Sequence, residues 1–281
     1  MRRFFCLLLM LTFAFPAIGL AELDEEELEF EEFDPDTGVP VGEAVWDFPL
    51  ALEDMNPEYI ILANKHYLLD RKYVPEDLVK VPSKPDKGGI AWAVRPKEGQ
   101  RLRQVCADAL CEMNRAIMDD APEYGYRKLY LKSAYRSYST QKTMYNNRLK
   151  KNHGKDDGWV SRPGASDHQT GLGCDVVPAN WKDKAMNDKM MKEPECMWMA
   201  EHCYEFGFII RYPADKQEIT EINTEPWHLR YVGIPVATYI WENNLCLEEF
   251  TEQMQQAIQH YLDAGGDRAK VEAFIQTPTE E

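Results

Sequence analysis

No apolar run in this chain reaches the roughly twenty residues needed to cross a bilayer. The longest, Phe4 to Phe15, stops at Pro16. Positive charge is also short: Lys and Arg number 32 against 48 Asp and Glu, a formal net charge of −16 over 281 residues. Binding nucleic-acid phosphates takes a basic surface, so no nucleic-acid partner is expected. There is no internal repeat, which removes solenoids and propellers. Strands and helices do not alternate regularly, which removes the parallel βαβ folds and leaves an α+β class.

What is present begins with a targeting pattern. Arg2 and Arg3 precede the apolar run and small residues follow to Ala21, so residues 1–21 read as a signal peptide. An uncleaved anchor is the alternative. The mature chain is expected to be exported, to the extracellular space, cell wall or periplasm, with no membrane span. Residues 22–55 follow as an acidic leader, because like charges repel in Glu22 to Asp36 (ELDEEELEFEEFDPD) and little there can be buried. Disorder is expected unless Leu23, Leu28, Phe30 and Phe33 dock. A catalytic domain over 56–246 and a charged helical tail over 247–281 complete the division, and a monomer is expected. Once Cys6 leaves with the signal, Cys106, Cys111, Cys174, Cys196, Cys203 and Cys246 remain. An even number in an exported protein suggests disulfides, with fifteen full pairings open, though an anaerobic compartment would leave thiols. Cys196, His202 and Cys203 repeat no zinc spacing and read as disulfide or buried thiols.

Apolar periodicity predicts a helix over Gly99 to Asp120, and helices over Ser139 to Leu149 (capped by Ser139 or Thr140), Glu195 to Phe206 and Pro235 to Asn243. Strands or extended segments are expected at Tyr59 to Asn64, Leu129 to Ser133, Gly171 to Val177, Phe208 to Tyr212 and Trp227 to Val232.

Three segments carry chemistry: Ser133-Ala-Tyr-Arg-Ser-Tyr138, Ser166-Asp-His-Gln-Thr-Gly-Leu-Gly-Cys-Asp175 and Glu225-Pro-Trp-His-Leu-Arg-Tyr231. Each alone is weak, since a lone histidine is more often structural than a ligand. Together they supply two imidazoles and a carboxylate, the three-ligand set of a catalytic zinc that keeps a position open for water. A spare carboxylate and a guanidinium accompany them. In a regular strand Asp175 shares a face with Gly173 and Gly171, whose lack of side chains would leave space for metal and substrate, while Leu172, Cys174 and Val176 point to the core. His168 has the wrong parity and joins Asp175 only through a bend at Thr170-Gly171. Glu225 would point away from His228, so Pro226 must mark a turn or bulge. This is not the helical HExxH arrangement.

These segments resemble the VanY-type zinc D-alanyl-D-alanine carboxypeptidases, relatives of D-Ala-D-Ala dipeptidases and L,D-carboxypeptidases. The likeness runs from about Ile60 to Asn243 and includes NKHYLLDRKYVPEDLV (Asn64 to Val79) and GFIIRYP (Gly207 to Pro213). It implies a Hedgehog/DD-peptidase-like fold, a small antiparallel sheet with flanking helices around a zinc cleft. It also implies Zn2+ on His168, Asp175 and His228, with Glu225 as catalytic base. Arg136 would face the substrate, either as a catalytic residue stabilising charge on the tetrahedral oxygen or by holding the terminal carboxylate, with Ser137, Gln141 and Ser166 as further contacts, and Lys150 to Ser161 would shape the pocket. The implied reaction is removal of the terminal D-Ala from peptidoglycan stem peptides or precursors. The alternatives are an L,D-carboxypeptidase, a peptidoglycan endopeptidase and, from another class, a non-catalytic wall-binding module. Cys174 beside Asp175 departs from the family pattern.

Overall fold

The computed structural model describes residues 44–93, 98–124 and 128–279. The signal reading of 1–21 and the acidic leader up to residue 43 lie outside them. Strands β1 (Leu78–Lys80), β2 (Ala91–Trp92) and β3 (Arg101–Arg103) precede the long helix α1 (Gln104–Tyr124). Strand β4 (Tyr130–Ser133), helix α2 (Tyr138–Lys151) and strand β5 (Gly173–Val177) come next. They are followed by α3 (Pro194–His202), β6 (Phe208–Tyr212), the single turn α4 (Gln217–Thr220) and β7 (Glu225–Tyr231). Helices α5 (Ile234–Glu242), α6 (Leu247–Asp263) and α7 (Arg268–Val271) close the described chain.

The main sheet runs β2-β4-β5-β7-β6. All its pairings are antiparallel except β2 with β4, so the expected antiparallel sheet gains a parallel edge. The class is α+β, as expected. Leu172, Cys174 and Val176 turn to the core and meet Cys106, Leu110, Met113 and Ile117 of α1, as their alternation required. Helix α1 starts later than its periodicity suggested because Arg101–Arg103 pair with Leu78–Lys80 instead. Helix α2 is capped two or three residues earlier than expected: the Ser137 hydroxyl accepts from the Thr140 amide.

Tyr59 to Asn64 forms no strand. Its backbone bonds go to side chains instead: the Arg230 guanidinium donates to the carbonyls of Tyr59 (2.9 Å) and Ile61 (2.7 Å), and Gln276 bonds Ile60 and Leu62. Satisfied this way, the segment can bury Ile60 without a neighbouring strand.

The domain edges also differ from the expected ones. Glu43 to Glu281 is one compact unit, where the sequence suggested a domain confined to 56–246. Trp46 and Phe48, placed in the leader by sequence, pack with Tyr239, Phe250 and Tyr261 in a second core built on α5 and α6. The 247–281 tail supplies Leu247, Phe250, Met254 and Ile258 to the same core. The amphipathic stripe of α6, legible in the sequence, is the face that it turns to this core.

All six described cysteines are buried free thiols, not the disulfides suggested by their even number. Burial pushes Cys196, Cys203 and Cys246 up to about 12, which keeps them protonated and unreactive.

Gly171 stands at φ +70° directly after the turn Asp167–Thr170. A methyl there would come 2.8 Å from Leu78 Cδ2, and the left-handed backbone strains any L side chain. Gly171→Ala is expected to cost about 2 kcal/mol of stability, read as a lower urea midpoint at unchanged slope.

Candidate metal centre

Strands β5 and β7 pair with Asp175 opposite His228, so both side chains leave the sheet on the same face. His168 arrives from the turn Asp167–Thr170, whose end at left-handed Gly171 makes the bend its parity demanded. Gly171 and Gly173 do not open the site as expected. A Cβ on Gly173 would come 2.9 Å from Asp167, so these glycines let the turn lie tightly against the strands.

The donor atoms of His168, Asp175 and His228 all lie within 4.8 Å of one another, the only such group of three or more among the described residues. His168 Nε2 is 3.5 Å from Asp175 Oδ2, and His228 Nδ1 is 3.0 Å from Asp175 Oδ1. His168 Nδ1 is engaged 2.7 Å from the Ala134 carbonyl, which orients the ring and leaves Nε2 free. Asp175 Oδ1 and both His228 nitrogens are buried without an aligned hydrogen-bond partner. Buried polar atoms in native proteins are nearly always satisfied, so this trio has the form of an incomplete coordination sphere. Two imidazoles and one carboxylate fit zinc.

The bulge expected near Pro226 is present. Between the pairs Ile210↔Leu229 and Tyr212↔Glu225, one residue of β6, Arg211, is matched by three of β7, Pro226, Trp227 and His228. This slack swings Glu225 Oε2 to 3.4 Å from His228 Nδ1.

Charge follows geometry here. Burial alone would raise Asp175, but the imidazoles of His168 and His228 hold its carboxylate well below the usual range. Burial would lower His228, yet Asp175 and Glu225 push it up to about 10. His168 is driven down to about 4 by burial and by Arg136. Glu225 is raised by burial, which outweighs His228. With the Asp175 and Glu225 carboxylates both close to His228, the pocket favours positive charge between these groups.

The trio and Glu225 line a cleft of about 380 Å³ together with Arg136, Gln141 and Ser166. Arg136 Nη1 donates to Gln141 Oε1 at 2.8 Å and Nη2 to Ser133 Oγ at 3.1 Å. Gln141 in turn donates to the Ser161 carbonyl at 2.6 Å, tying the loop to α2. Ser166 is buried beside the trio, and its side chain makes no capping bond. Ser137 is the exception: it caps α2 and faces a separate depression with Arg71 and Lys142.

Sequence reasoning missed Ser133 as a support for Arg136 and Tyr212 as a wall, its ring 5.1 Å from His228. Both lay inside quoted segments without a metal-ligating or acid-base side chain to flag them. Trp159 and Ser161 come from the loop expected to shape the pocket. A slightly larger cleft, about 420 Å³, is lined largely by apolar residues such as Met197, Tyr204 and Trp241, and no comparable donor cluster lies in it.

Comparison with known proteins agrees with this geometry. YodJ of Bacillus subtilis (strain 168) is 38% identical over 204 residues, 72% of this chain and 70% of that protein. The family model described as VanY, D-alanyl-D-alanine carboxypeptidase, matches residues 99–234. The chain belongs to this family. Among solved structures, the LdcB LD-carboxypeptidase shares 38% identity with a TM-score of 0.59, covering 70% of this chain and 87% of that one. A mutant of the vancomycin-resistance D,D-pentapeptidase VanY, in complex with Zn(II), shares 29% identity with a TM-score of 0.52, covering 69% and 98%. The Hedgehog/DD-peptidase fold expected from the sequence is therefore the fold observed. Among the described residues no helix is long and apolar enough to cross a membrane.

A metal that completes the trio binds only the folded chain and stabilises it by mass action. At a thousandfold excess over its dissociation constant the gain is about 4 kcal/mol. Removing metal with a chelator should lower the melting temperature by several degrees, restored by zinc, and His168→Ala should abolish the response. Calorimetry on both proteins measures it.

Proposed function

We propose that the protein is a zinc-dependent D,D-carboxypeptidase that removes the terminal D-Ala from peptidoglycan stem peptides or their precursors. The carrying observation is the Glu225 carboxylate, bulged out of its strand to 3.4 Å from His228 at the edge of the donor trio. A purely structural metal site or a wall-binding module has no use for a carboxylate kept protonatable beside the metal. His168, Asp175 and His228 would hold the zinc. Bound there, zinc would supply Lewis acidity, lowering the pKa of a water and polarising the scissile carbonyl.

The chain's own groups then divide the remaining work. Glu225 accepts the proton of the attacking water at Oε2 and returns a proton to the departing amine, and its raised pKa suits both transfers. A carboxypeptidase must also recognise a free C-terminal carboxylate. Arg136 and Arg148 are the two arginines lining the cleft, and Arg148 is committed to Asp157 at 2.5 Å. Arg136 forms no ion pair among the described residues, and Gln141 and Ser133 hold its fork in place for bidentate binding. Ser166 is placed for a further polar contact. Ser137 caps α2 and does not line this cleft, which favours the other contacts over it.

The L,D reading is kept alive by LdcB, named an LD-carboxypeptidase and 38% identical to this chain. The signal-like residues 1–21 support export to the wall, with 22–43 as an acidic spacer and the chain acting as a monomer.

Incubating the zinc-loaded protein with stem pentapeptide should release one D-Ala, detected by mass. Glu225→Ala should reduce turnover at least about a thousandfold while zinc content stays stoichiometric. Cleavage of the tetrapeptide alone would move the assignment to L,D chemistry. No cleavage of either peptide at full zinc occupancy would overturn the carboxypeptidase reading.

A further inference from the structure

Behind the donor trio lies a second set of charges that the proposed reaction does not use. Asp167, the residue before His168, has a fully buried carboxylate. Its Oδ1 pairs with Arg230 Nη1 at 2.6 Å and its Oδ2 with Arg211 Nε at 2.7 Å. Both arginine side chains are also at 0% exposure. Arg211 then runs on to Glu248, with Nη2 to Oε1 at 2.6 Å and Nη1 to Oε2 at 2.7 Å, a two-pronged contact. Glu248 sits on α6, is 10% exposed, and also accepts from Asn64 Nδ2 at 3.2 Å.

The set is neutral as a whole, two carboxylates against two guanidiniums, which is how buried charge is tolerated. Its members sit where the metal residues are presented. Asp167 opens the turn that carries His168, Arg230 is two residues beyond His228 on β7, and Arg211 precedes the cleft residue Tyr212. Removing one member leaves another charge buried and unmatched, and the elements joined by the set shift to relieve it. Glu248 is its outermost member and lies beyond the stretch, 99–234, that matches the family model.

We infer that Glu248 is a positioning residue for the metal centre, acting through Arg211 and Asp167 on the turn that presents His168. Helix α6 is thereby part of the site rather than an appendage. This rests on the reading of His168, Asp175 and His228 as zinc ligands.

The test uses the full chain and measures zinc affinity by chelator competition, with circular dichroism to follow folding. Wild type against His168→Ala comes first: if zinc affinity does not differ, the ligand reading itself fails. Given that difference, Glu248→Gln, which keeps the shape and loses the charge, should raise the zinc dissociation constant about tenfold. Glu248→Asp, a milder variant that retains charge but not reach, should fall between. Met254→Ala, on the same helix but in the second core, should lower the melting temperature and leave zinc affinity unchanged. An unchanged dissociation constant in both Glu248 variants, or an equal rise in Met254→Ala, overturns the inference.

Discussion

The pairing of β5 with β7 places the Asp175 carboxylate and the His228 imidazole side by side on one face of the sheet. Opposite residues of an antiparallel pair share a face, so a one-residue slip would send one to the core and the other to the cleft. Cys174 and Leu229, also opposite one another, are packed against α1 and hold the register by burial. His168 lies outside the strands, and Glu225 lies on the far side of a register shift from His228. A tight turn ending at Gly171 brings in the first and the bulge before His228 the second, and both devices work only because the central pair is fixed.

Much of this was legible in the residues. Parity arguments required a bend at Gly171 and a bulge at Pro226, and both are present, because side-chain alternation leaves few ways to bring such residues together. Legibility failed where side chains replace backbone. Tyr59 to Asn64 has strand composition, but Arg230 and Gln276, distant in sequence, take its carbonyls and amide. Ser137 was ambiguous because a hydroxyl beside Arg136 suits a helix cap or a substrate equally well until its direction is known, and the structure shows it capping α2. Gly173 was read as space when it is contact, since a missing side chain has the same signature in either case. The second core was legible only in part: the amphipathic character of the 247–281 tail could be read, while Trp46 and Phe48 follow an acidic stretch that conceals them.

The two buried charge clusters differ in a way that separates support from chemistry. Asp167, Arg211, Arg230 and Glu248 balance internally at contact distance. Asp175 and Glu225 have one arginine nearby, Arg136, which is turned toward Gln141 and Ser133 rather than paired with either. A charge-matched cluster next to a centre whose carboxylates hold no arginine partner is the arrangement expected when rigid surroundings keep a reactive centre from relaxing.

The burial of the thiols has a consequence for which ions can compete at the centre. Sulfur donors favour soft ions such as Cu(I), and a surface thiolate would offer them a rival seat. Here the described cysteines are sealed in the interior and several are held protonated. The folded molecule therefore presents nitrogen and oxygen at its donor cluster, and its discrimination among metals is set by that borderline-hard chemistry.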